Sequence, residues 1–156
     1  MPLPAKGPAV KTQLEQIRQA GPVRMIRNGS QRVAEEPSDE DFNQAAVWRI
    51  KLPTDGDPER DLLLRIHYEG DVARLYLDGK LVADDFYNGR EFDLGLKRFG
   101  ADAYGKELLL KILPLQKDAP IFIAPQAIPK FGDIDSIVRV NSIEVIERTE
   151  VSARVP

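Results

Sequence analysis

Nine consecutive residues, DDFYNGREF at 84–92, collect carboxylates, an amide, a guanidinium and three aromatic rings. Sugars present apolar C–H faces and fans of hydroxyls, so a sugar site combines an exposed ring with planar side chains that hold two hydroxyls at once. On that chemistry Asp84, Asp85, Tyr87, Asn88 and Arg90 are candidate carbohydrate-binding residues, with Tyr87 as the exposed ring. The competing reading is architectural. Phe86 and Phe92 are of the type that plugs cores, and Asn88-Gly89 is by itself an ordinary turn pair. Trp48 is also the right residue type for a sugar platform, but it lies on the apolar face of its strand, which predicts burial.

Other chemistries find less to work with. Asp84, Asp85, Glu91 and Asp93 could supply the two carboxylates of glycosyl transfer, which need a separation of roughly 5 to 9 Å and one pKa raised by burial. No pattern in the sequence shows such burial, and hydrogen bonds to turn amides and to Arg90 account for these residues equally well. An oxygen-ligand site for a structural calcium ion could draw on Asp84, Asp85, Asp93, Asp133 and Asp135, although no loop spacing selects it. No other cofactor is expected. His67 is the sole histidine and the chain has no cysteine, so multi-histidine metal centres, zinc-thiolate sites, disulfides and thiol nucleophiles are excluded. No catalytic residue is assigned.

Charge narrows the partners. The first sixty residues hold 9 basic and 9 acidic side chains and the rest 13 and 16, so neither part is a basic patch and no nucleic-acid partner is expected. MPLPAKGPAVK lacks the apolar core of a signal peptide, and no run approaches the roughly 18 apolar residues of a membrane span. Compartment stays open. Export of a parent protein would require a signal outside this chain.

The elements that must position these residues are strands. In AAVWRIKLP, Trp48, Ile50 and Leu52 share one face and Val47, Arg49 and Lys51 the other, ending at Pro53. In DLLLRIHYEG, Leu62, Leu64, Ile66 and Tyr68 form a core face. ARLYL and KLVA flank Asp78-Gly79, the strongest hairpin signal in the chain. LKRFGADAYGK reads as a loop or one short helical turn, ELLLKIL as a buried strand, and PIFIAP as a short strand bounded by prolines. DSIVRVNSIEVIER changes the phase of its alternation near Asn141-Ser142, which predicts a bulge. Near the start, Val10, Leu14 and Ile17 fit a helical face while Val10, Thr12 and Leu14 alternate like a strand, and an extended conformation up to Gly21-Pro22 is the expectation. EEPSDEDFN reads as a solvated loop with Ser38 or Asp39 as a cap. The fold class is therefore all-β, an antiparallel β-sandwich or jelly roll, with an extended lead-in over 1–40 and one domain over 41–150.

VWRIKLP, LLLRIHYEGDVARLYLDGKLVADDFYNG, FDLGLKRF and LLLKILPLQKDAPIFI together resemble the non-catalytic, galactose-binding-like jelly-roll domain in the C-terminal part of some bacterial β-galactosidases of glycoside hydrolase family 35. The likeness covers roughly residues 45 to 125. It implies an accessory module and not an enzyme, because the paired glutamates of such hydrolases lie in a separate barrel for which this chain has no room. It also implies two kinds of partner: galactose or a β-galactoside bound by the module, or a catalytic domain braced by a module without a sugar site.

Overall fold

The computed structural model describes residues 10–26 and 35–148. The parts of the lead-in at 1–9 and 27–34, and the last two residues of the 41–150 domain, lie outside the described residues.

Ten strands are described: β1 (Gln13–Arg18), β2 (Ala46–Lys51), β3 (Leu62–Glu69), β4 (Val72–Leu77), β5 (Lys80–Phe86), β6 (Phe92–Gly95), β7 (Leu108–Ile112), β8 (Leu115–Gln116), β9 (Ser136–Ile137) and β10 (Arg139–Glu147). They form a five-stranded sheet in the order β1-β2-β7-β4-β5, a three-stranded sheet in the order β10-β3-β6 and a small β8-β9 pair. Every pairing is antiparallel. The two larger sheets pack face to face as the expected β-sandwich.

Period-two alternation builds the core. Trp48, Ile50, Leu75, Leu110 and Ile112 from the larger sheet meet Leu62, Leu64, Ile66, Tyr68, Phe92 and Leu94 from the smaller one, all buried. Each such leucine or isoleucine removed from water stabilises the fold by about 1.5–3 kcal/mol before the entropy of ordering is set against it. A second, smaller cluster of Phe42, Ala45, Val72 and Leu113 covers part of the outer face of the five-stranded sheet. The 3-10 turn that delivers Phe42 is fixed by reciprocal bonds: Asp41 N–H donates to Ser38 Oγ at 3.2 Å, and Ser38 N–H donates to Asp41 Oδ2 at 2.8 Å. Ser38, not Asp39, is the residue whose side chain caps.

Residues 13–18 form an edge strand that pairs with β2, with Leu14 opposite Ile50. The expected bulge is present, since the β10–β3 register skips Asn141 between Val140 and Ser142. PIFIAP forms no strand: the Ile121 N–H turns back to the Ala119 carbonyl at 2.8 Å, and Pro120 and Pro125 lack ladder donors altogether. The segment 97–105 holds a 3-10 turn at Lys97–Phe99 and a single α-helical turn, α1 (Asp102–Gly105). Among the described residues no helix is long and apolar enough to cross a membrane.

Besides the β1–β2 pairing, a buried ion pair ties the lead-in to the sandwich. Asp71, in the tight turn between β3 and β4, is among the described residues the one charged residue buried as a whole, and Arg24 donates to it through Nε at 2.6 Å with both side chains almost fully buried. Burial outweighs the pair and holds the Asp71 carboxyl above the usual carboxylate range. Arg24→Ala would leave that carboxylate buried without its cation, which is expected to destabilise the fold by about 3 kcal/mol or more. Urea denaturation at neutral pH measures this, and a loss under about 1 kcal/mol would mean that the pair is only a surface bridge.

Candidate functional site

The course of β5 decides where DDFYNGREF points. Asp78 (φ 50°) and Gly79 (φ 78°) both adopt the left-handed conformation, as a two-residue hairpin turn of the I′ kind requires. Beyond the turn Leu77 pairs with Lys80 and Tyr76 with Leu81, but Leu75 then pairs with Ala83, so Val82 is an extra residue. That bulge inverts every later side chain. Ala73, whose side chain faces the core, pairs with Asp85, while Arg74 pairs with Asp84 and Val72 with Phe86 on the outer face.

The five candidate residues therefore divide. Asp85 and Tyr87 turn inward; Asp84, Asn88 and Arg90 are exposed. Tyr87 is not the exposed ring. Its ring packs edge-on against Tyr68 with centroids 5.7 Å apart, and its hydroxyl donates to the Ala127 carbonyl at 2.7 Å. Phe86, expected in the core, is instead half exposed, whereas Phe92 and Trp48 are buried as expected. The reason is the bulge: in an unbroken register Ala73 would face Asp84, Phe86 would point inward and Tyr87 outward.

Asp85 is engaged as well. The buried Tyr68 hydroxyl, on the opposite sheet, shares its hydrogen between the Asp85 carboxylate at 2.7 Å and the Asp85 carbonyl at 3.0 Å. Burial raises the Tyr68 phenol far above its ordinary range, which keeps it a donor. Burial also raises the Asp85 carboxyl; the Tyr68 bond lowers it in part, and the neighbouring charge of Asp84 raises it again. Asn88 Oδ1 accepts the Arg90 N–H at 2.9 Å, a local turn bond. Gly89 has φ 81°, and a Cβ there would lie 2.6 Å from that of Ala127, so a glycine is needed both for the turn and for the approach of the later loop.

The remaining carboxylates are held by arginine or lie apart. Arg65 grips Asp93 with two bonds of 2.9 Å. His67, facing outward from β3, lies 3.8 Å from Glu144. Among the described residues no group of three or more histidine, aspartate or glutamate side chains is placed to hold a metal ion, so Asp84, Asp85, Asp93, Asp133 and Asp135 do not converge.

Two depressions flank this corner. The segment between β8 and β9 encloses an apolar pocket of about 350 Å³ lined by Leu115, Ile121, Ile123, Ile128 and Phe131. On the other side, where the edge strands β5 and β6 part, a polar groove of about 540 Å³ is lined by Asp84, Asp85, Asp93, Arg98 and Arg148. Arg98 and Arg148 carry no motif, and Ala127 is 40 residues from its partner Tyr87, so only the folded chain brings these residues to the corner.

Because burial holds the folded Asp85 carboxyl above the ordinary aspartate range, the native state takes up its proton more readily than the unfolded chain. Its ionisation therefore lowers stability as pH rises from about 4 through the raised value. Asp85→Asn keeps an acceptor for Tyr68 but does not titrate, so its melting temperature relative to native should rise between pH 4 and pH 7. A difference that does not change with pH would contradict this assignment. No family model, curated protein or solved structure matches the chain.

Proposed function

We propose that the chain is a non-catalytic accessory β-sandwich that braces a neighbouring domain of a glycoside-hydrolase-like protein. The observation that carries this reading is the inward engagement of the aromatic corner. Tyr87 and Gly89 meet Ala127, and Tyr68 holds Asp85, so two of the five groups expected to greet a sugar, Asp85 and Tyr87, fasten the chain to itself.

What they fasten is the stretch between β8 and β9. It carries Phe122, 91% exposed, together with the half-exposed Ile128 and Ile134. A large ring held out on a loop with a fixed base suits insertion into an apolar recess of a partner domain. The resemblance over residues 45 to 125 points to a hydrolase barrel as that domain.

A second reading, binding of galactose or a β-galactoside at the corner, is favoured by one observation. Asp84 and Arg90 are exposed, and among the described residues neither side chain has a hydrogen-bond or ion-pair partner, while Phe86 stands half exposed on the same strand.

Mixing the chain with the catalytic barrel of a family 35 β-galactosidase prepared without its own sandwich domains separates the two. Bracing predicts that the native chain raises the melting temperature of the barrel and that Phe122→Ser, folded normally, does not. No stabilisation by the native chain, with galactoside-induced NMR shifts at Phe86 and Arg90, would replace bracing with sugar binding.

A further inference from the structure

The polar groove between β5 and β6 continues into a second depression of about 360 Å³ lined by Asp61, Gly95, Lys97, Arg98 and Arg148. Gly95, Arg98 and Arg148 line both, so the two form one trough. Its floor at Gly95 is bare backbone. A Cβ at that position would lie 3.1 Å from Arg148 Nη2, so the glycine lets the guanidinium settle over the end of β6.

One end of the trough is cationic. Among the described residues, Lys97, Arg98 and Arg148 meet a single carboxylate there, Asp61, which approaches Arg148 Nε at 3.5 Å. Arg98 is held in place twice: its Nη2 donates to the Val82 carbonyl at 2.8 Å, and its guanidinium lies over the Phe99 ring at 4.5 Å. Its other N–H groups have no partner among the described residues, and neither does the Lys97 ammonium. Holding an arginine before a ligand arrives removes much of the entropy of immobilising it on binding.

The opposite end is different. Asp93 is neutralised by Arg65 and Asp85 is engaged by Tyr68, which leaves Asp84, exposed on the outer side of β5 at the rim of the groove, as an acceptor for hydroxyls. Guanidinium groups recognise planar oxyanions through paired bonds, and a carboxylate recognises adjacent hydroxyls.

From this arrangement we infer that the trough binds an acidic sugar, its carboxylate or sulfate held by Lys97, Arg98 and Arg148 and its hydroxyls by Asp84. The site lies apart from the Phe122 loop and goes beyond the bracing role.

The test is a set of calorimetric titrations of the whole chain at low salt with oligogalacturonate, a sulfated galacto-oligosaccharide, the neutral galacto-oligosaccharide and inorganic sulfate. The expected result is binding of one or both acidic sugars, weakened by added salt and about tenfold weaker in Arg148→Gln and in Lys97→Gln. Both variants change exposed side chains, and an unchanged melting temperature shows that they remain folded. Equal binding of the neutral sugar would overturn the charge assignment. Inorganic sulfate binding as tightly as the sugars would reduce the trough to a simple anion site, and no binding of any acidic sugar would remove the site altogether. None of these results bears on stabilisation of a barrel by Phe122.

Discussion

A single phenol hydroxyl joins the two sheets at their open side. Tyr68 belongs to the three-stranded sheet and Asp85 to the edge of the five-stranded one, so the bond between them crosses the sandwich. At this margin the apolar faces thin out, and a strand edge with its polar groups must meet the core. A buried carboxylate there would be costly without a donor, and a buried phenol would be costly without an acceptor. Each supplies what the other needs. The Tyr68 ring also serves as the surface against which Tyr87 and Phe92 pack edge-on, so the geometry of the corner follows from this one contact.

From there the dependence runs outward along the chain. Tyr87 is fixed by Tyr68 and by its own backbone N–H on the Asp71 carbonyl at 3.0 Å, and its hydroxyl then holds Ala127. Asp71 in turn is held by Arg24. The corner thus links the segment after Gly21, the β3–β4 turn and the loop between β8 and β9. Four stretches far apart in sequence share one small network.

The alternation of Leu62, Leu64, Ile66 and Tyr68, the Asp78-Gly79 hairpin and the phase change near Asn141 were legible because each is a local pattern with one structural solution. The orientation of the corner was not. It turns on Val82, an extra residue in KLVADD that nothing in its type distinguishes from a regular strand residue, and one slipped position exchanges the two faces of a strand. Residue type argued for Phe86 inside and Tyr87 outside; register decided the opposite. PIFIAP failed for a related reason, because β-propensity in four residues cannot overcome prolines on both sides. Asp71 was illegible since its partner Arg24 lies 47 residues away across the fold.

Residues that look like a ligand-binding set can therefore be the fastening of a loop. The most direct measurement is amide hydrogen exchange of Tyr87→Phe, which removes the hydroxyl and keeps the ring. Loss of protection at Ala127 and Ile128, whose N–H groups close the turn at 125–127, with unchanged protection in β2, β3 and β7, is the expected result. Protection at Ala127 and Ile128 that matches the native chain would show that the corner does not hold the loop, and would return Tyr87 to consideration as a group that contacts a ligand.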